Sequence, residues 1–338
     1  MKASIIKTEV FIFFLGVIFF NEYTFAQNFS CESLKPIEIA QTQKPTSTSS
    51  IVDWANYQKR VFEARKLVAL NIFQSYISGS FDDRFFESCI KSKQEYEALE
   101  EILPSTFLDE SLKILNLSQS RSVKNFSEII NSRIKNNNFI LFRLAGHFKE
   151  DPAPTDLAGG FHRGQGSIFM NFTKIPPNEW LIIFVHELTH SLDVQLSNAI
   201  SEYSKNEIVL KLTKDKKVFQ QLSRDEKSEL HRWLMSGLDR GFLAEYRAWT
   251  ITFKIYQDGL DEGLWKPIDW MNSILNHKLA SENLSDFTFR YLDPRFINPT
   301  EWPFRASPVK ESLESIRAQM RRNDINKPGL FNLENILD

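Results

Sequence analysis

His186-Glu187-Leu188-Thr189-His190 sets two imidazoles four residues apart with a carboxylate between them. On a helix that spacing projects both rings from one face, about a turn apart. One nitrogen of each can then reach a single Zn²⁺ at about 2.0–2.1 Å. Glu187, one residue round the helix, is placed to lean over an open coordination position and take a proton from metal-bound water. The residues just before the motif, Trp180-Leu181-Ile182-Ile183-Phe184-Val185, are all apolar. The helix therefore reads as buried, and a polar triplet there is expensive without a strong partner. Histidines merely hydrogen-bonded inside a core are the plainer alternative, and metal accounts for the pattern better.

A hydrolytic zinc needs a third protein ligand and one open position. A third histidine shortly after the second is excluded, because Leu196 stands there and Asp193 replaces the glycine that such a turn requires. That leaves a carboxylate from a later helix. Glu245 is the best candidate, the only acid in the apolar stretch 241–253. A carboxylate so placed has either the metal or nearby Arg247 as its partner. Glu202 and Glu207 compete on type, but their surroundings are polar. Asp193 shares a helix face with His190, so it suits a supporting bond to a ligand histidine or to neighbouring backbone.

His186-Glu187-x-x-His190-x-x-Asp193 followed by the helix Phe242-Leu243-Ala244-Glu245 resembles the gluzincin metallopeptidases, and within them the anthrax lethal factor-like catalytic domains. The likeness covers about residues 165–257. It implies His186, His190 and Glu245 as zinc ligands, Glu187 as base, and a strand over 167–172 that borders the cleft and pairs with an extended peptide. The family's tyrosine ahead of the ligand glutamate is missing, since Leu238, Asp239 and Gly241 occupy those positions. Tyr246, His231, Tyr203 and His162 are the alternative donors to a developing oxyanion.

These residues need elements to hold them. Phe139-Ile140-Leu141-Phe142-Arg143-Leu144 has the short apolar form of a buried strand, and a Gly- and Pro-rich loop over 146–166 leads to a second strand, Ser167-Ile168-Phe169-Met170-Asn171-Phe172. Asn178 is a suitable N-cap for the helix from Trp180. Helices are expected over 202–222, 225–237, 241–257, 264–277 and 308–321. Before the strands, Asp53 is a plausible N-cap for a helix whose stripe runs through Val61, Phe62, Arg65, Leu67, Val68, Leu70, Ile72, Phe73 and Tyr76. A second helix, 82–103, is expected to stop at Pro104. Further helices are expected near 107–117 and 125–136.

Lys2 and Lys7 precede an apolar run over 10–20 and the small-residue site Thr24-Phe25-Ala26, which reads as a secretory signal cleaved after Ala26. The run is about half of the ~20 residues that a membrane span needs, so no stable span is expected after cleavage. Residues 27–50, rich in Gln, Thr, Ser and Pro, read as a flexible tether. An oxidising compartment would permit the two cysteines, Cys31 and Cys89, to pair; the alternative is a buried helical thiol at Cys89. Lys plus Arg (41) nearly balance Asp plus Glu (43), which gives no field to draw nucleic acid or an anionic membrane.

The expected organisation is a signal peptide (1–26), a linker (27–50), a helical N-terminal region (51–136), a zincin-like catalytic core (137–260) and a helical C-terminal region (261–338). The class is α+β and predominantly helical. The expected activity is that of a secreted zinc metallopeptidase acting on peptide or protein substrates. Its rivals are an exported, non-catalytic binding or scaffold protein of zincin-like fold, and a helical interaction protein.

Overall fold

The computed structural model describes residues 30–82, 84–90, 92–135, 141–145, 159–162, 167–171, 174–193, 196, 221–275 and 330–337. The signal region, residues 202–220 of the helix expected over 202–222, and the helix expected over 308–321 lie outside them. The described residues are predominantly helical with a small sheet, an α+β arrangement. Among them no helix is long and apolar enough to cross a membrane. The chain divides into two compact units, one drawn from Met1–Lys113, Leu144–Asp156 and Asn171–Trp180, the other from Ile114–Arg143, Leu157–Met170 and Leu181–Asp338. The boundary expected at 136 therefore does not separate packing units.

In the first unit, the stretch expected to be a tether instead forms a 3₁₀ turn, Cys31–Leu34, and helix α1, Lys35–Thr42, with Leu34, Ile37 and Ala40 buried. Cys31 is bridged to Cys89 at the end of α3 (Phe85–Cys89), with Cα atoms 5.1 Å apart. A cross-link supplies order that the polar composition cannot. Helix α2 (Ile51–Ser78) is capped by Ser50, not Asp53. The Ser50 hydroxyl accepts from the Asp53 N–H while the Asp53 carboxylate accepts from the Ser50 N–H, a capping box. Val61, Val68, Ile72, Phe73 and Tyr76 are buried as expected, but Phe62 and Leu67 are exposed, because one straight helix can bury only one face.

Helix α4 (Lys93–Asn116) runs straight through Pro104, so the expected stop is wrong, and the break falls earlier, after Cys89. Leu99, Leu103 and Phe107 are all but fully buried on either side of the proline, and that burial offsets the ~3 kcal/mol a mid-helix proline costs. Phe107 packs edge-on against Phe73 and Trp180, with ring centroids 5.0 and 5.3 Å away. Trp180 Nε1 donates to Ser111 Oγ at 2.9 Å, and the Tyr76 hydroxyl donates to the Ile175 carbonyl at 2.7 Å.

In the second unit, helix α5 (Arg121–Lys135) is anchored at its N-terminus by acids of a later helix. Asp258 accepts from the Ser120 and Ser122 hydroxyls, and Glu262 accepts from the Ser118 hydroxyl and the Gln119 N–H. Strands β1 (Leu141–Ala145), β2 (Gly159–His162) and β3 (Ser167–Asn171) form a sheet in the order β1-β3-β2. Two strands were expected where three occur, since Gly159–His162 lay in a presumptive loop. β2 runs antiparallel to β3 with Gly160 opposite Phe169. A Cβ on Gly160 would overlap the Phe169 ring, so the aromatic lies over the bare glycine and supplies the packing that the residue lacks.

Pro177–Glu179 forms a 3₁₀ turn that leads into α6 (Trp180–His190), so Asn178 lies within a turn and is not the N-cap. The 3₁₀ turn Ser191–Asp193 follows α6. The two helices expected over 225–237 and 241–257 are a single one, α7 (Arg224–Asp261), opened by a Ser223–Glu226 capping box. Gly237 and Gly241 do not interrupt it, because a helical glycine costs only about 1 kcal/mol and the apolar half from Leu243 to Tyr256 is well buried. Helix α8 (Asp269–Leu275) and the C-terminal turn of helix α9 (Glu334–Leu337) complete the unit, and α9 packs on α5 and α7.

Candidate metal centre

The C-terminal half of α6 has no solvated face: His186, Glu187, Leu188, Thr189 and His190 are all buried. The two histidine rings meet edge to face with centroids 4.7 Å apart, and their Nε2 atoms are 3.2 Å from one another. Helix α7 brings Glu245 to the same point, with Oε2 3.2 Å from His186 Nε2 and Oε1 3.5 Å from His190 Nε2. His186, His190 and Glu245 form a group able to hold a metal ion, each offering a donor atom within 4.8 Å of the others.

The separations decide how to read the group. A hydrogen bond between a carboxylate and an imidazolium closes to about 2.7–2.9 Å. Donors arranged tetrahedrally at about 2.0–2.1 Å from one ion are roughly 3.3 Å apart. The observed 3.2, 3.2 and 3.5 Å are all longer than that hydrogen bond, with Glu245 facing the two rings through different oxygens, Oε2 toward His186 and Oε1 toward His190. Glu245 Oε2, moreover, is buried beside His186 without an aligned hydrogen bond. Burial alone would push the Glu245 carboxyl up, but the facing His190 and His186 rings outweigh it and hold the group well below the usual carboxylate range. An ionised carboxylate with two imidazole nitrogens is a donor set suited to zinc.

Glu187 is not part of the ligand group. It leans instead on the backbone of β2, where a Cβ added to Gly159 would come within 3.2 Å of both its Cγ and its Oε1. The glycine leaves space for the carboxylate. The Trp249 ring lies against His186, with centroids 4.0 Å apart and planes tilted by 35°.

Arg247 turns away from Glu245 and holds Asp193, Nε to Oδ2 at 2.7 Å and Nη2 to Oδ1 at 3.1 Å. Asp193 supports neighbouring backbone by accepting from the Phe331 N–H at 3.2 Å. Of the suggested oxyanion donors, Tyr246 is buried, which pushes its phenol up. His231 is on α7, but at about 1.5 Å of rise per residue it lies roughly 20 Å along the axis from Glu245, too far to serve the same centre. His162 pairs with Ser167 at the end of β2 away from Gly159. Tyr203, Glu202 and Glu207 lie outside the described residues.

The strand beside the centre is also corrected. β3 lies between β1 and β2, so its hydrogen-bonding edges are both used and it cannot receive an added strand. Among the described residues β1 and β2 are the two edge strands, and β2 carries Gly159. Sequence reasoning missed three contributors. Trp249 was detectable, one turn beyond Glu245 on the same helix. Gly159 and the backbone of Phe331 carry no local signal. No family model, curated protein or solved structure matches this chain.

Proposed function

We propose that this chain is an exported zinc metallopeptidase of gluzincin type, with a zincin-like core in which His186, His190 and Glu245 bind zinc and Glu187 is the general base. One observation carries the reading: two buried histidines of one helix and a glutamate of another bring one donor atom each within 4.8 Å of the others, with a further carboxylate, Glu187, on the histidines' helix but outside that group. A structural metal has no use for that carboxylate. The family likeness rests on the motif residues alone.

A zinc ion bound here would polarise a substrate carbonyl and lower the pKa of a water molecule. Glu187 takes a proton as the water oxygen attacks the amide carbon, then delivers it to the nitrogen as the C–N bond breaks. Trp249 packs on the His186 ring and limits its rotation. An extended peptide is accommodated along the outer edge of β2 by strand addition. Export is supported by the N-terminal basic-apolar-small pattern and by the Cys31–Cys89 bridge, which suits an oxidising compartment. The near balance of charges gives no reason to expect nucleic acid as a partner.

The test is metal content and peptide hydrolysis of the purified mature protein. Wild type and Glu187→Gln should each hold about one zinc, and His190→Ala and Glu245→Ala much less. Wild type alone should cleave members of a peptide library. Absence of zinc after reconstitution would leave a helical interaction protein as the better reading, and zinc without hydrolysis would leave a binding scaffold. An active Glu187→Gln protein would remove the base.

A further inference from the structure

Asp193 and Arg247 form a buried ion pair, with side chains 5% and 0% exposed. Asp193 stands in the turn directly after α6, whose last residue is His190, and Arg247 stands on α7 close to Glu245. Taken alone, such a pair adds little net stability, since desolvation consumes most of the attraction. This pair does something further. Arg247 Nη2 donates to the Phe331 carbonyl, and the Phe331 N–H donates to Asp193 Oδ1 at 3.2 Å. Both backbone groups of one residue are thus satisfied as a neighbouring β-strand would satisfy them. Just beyond Phe331, Leu333 and Ile336 are 1% and 0% exposed, so the segment is fastened by its own core contacts as well.

We infer that the C-terminal segment 330–337 is a brace of the metal centre. Through Phe331 it locks the turn after His190 to the stretch of α7 that carries Glu245, and so sets the distance between the histidine pair and the third ligand. This rests on the metal-binding reading proposed above. Asp193, Arg247 and Phe331 are positioning residues: none of them belongs to the ligand group. Partners that hold the ligand-bearing elements of a metal site change affinity by about ten- to a hundredfold when removed.

The decisive variant is Phe331→Pro, which deletes the N–H given to Asp193 and leaves both side chains of the ion pair. Phe331→Ala is its control, because it loses the ring but keeps the N–H and carbonyl. Zinc affinity is measured by chelator competition, with far-UV circular dichroism and metal-free urea midpoints taken on the same proteins. Phe331→Pro is expected to bind zinc ten- to a hundredfold more weakly than Phe331→Ala, while Phe331→Ala binds as wild type does. Should the proline variant fail to fold, Arg247→Lys carries the test. It keeps the charge but cannot hold carboxylate and carbonyl from one planar fork, and the same loss is expected. Equal zinc affinity across folded variants and wild type overturns the brace and leaves the metal centre standing. A wild type that binds no zinc overturns both.

Discussion

Replacing Gly159 with alanine puts a methyl group 3.2 Å from Glu187 Cγ and Oε1 and 3.4 Å from Ile183 Cγ2. Ordinary carbon contacts settle at about 3.5–4.0 Å, so the Glu187 side chain must yield by roughly 0.3–0.5 Å. A misplacement of about 1 Å can cost a hundredfold in rate, which scales to roughly four- to tenfold here. Stability should hardly change, because alanine gains about 0.5–1 kcal/mol over glycine within a strand and offsets the tight contact. Gly160→Ala next door should do the reverse. Its methyl would lie 2.7 Å from Phe169 Cζ, and displacing that ring should cost about 1–3 kcal/mol. The assay pairs turnover of a peptide chosen from the library, followed by mass spectrometry, with urea denaturation of both variants. Gly159→Ala turning over at the wild-type rate with zinc bound would refute the placement of Glu187 against β2. Loss of zinc from that variant would show that the strand supports the ligands and not the base.

Reduction of the Cys31–Cys89 bridge, or its removal by paired serine substitutions, should lower unfolding free energy by about 4 kcal/mol, the loop-entropy value for the 58-residue separation; matched urea curves with and without reductant check it. The acid limb of stability should depend on Asp258. Burial pushes its carboxyl up, but bonds from Ser122, Lys254 and Ser120 outweigh this and hold it below its ordinary value. A folded pKa below the unfolded one means a contribution that is complete above the unfolded value of about 3.9 and lost as pH falls through the folded value. Asp258→Asn should therefore flatten the fall in urea midpoint between about pH 5 and pH 2, and a slope equal to wild type would contradict the assignment.

The residues of the candidate site were legible because each left a local mark. Two histidines and a glutamate at helical spacing stood behind six apolar residues, and Glu245 was the one acid in an apolar helix. What escaped was decided by distant partners. Pro104 looks like a stop until Leu103 and Phe107 are seen buried around it. The 31–42 stretch looks like a tether until Cys31 is tied to Cys89. Gly159 and Gly160 look like a loop because what makes them a strand is carried by Phe169 opposite. Asp193 and Arg247 were both noticed, yet their union through Phe331 joins segments that no periodicity relates.

Trp249, in contact with the His186 ring, has a consequence outside chemistry. Indole emission responds to the charge and polarity of what touches the ring. Neutral imidazole, imidazolium and metallated imidazole are three different neighbours. The protein therefore carries an optical gauge of its own centre, readable at micromolar concentration without label or chelating dye. Of its seven tryptophans, the one to replace with phenylalanine for a blank is Trp249.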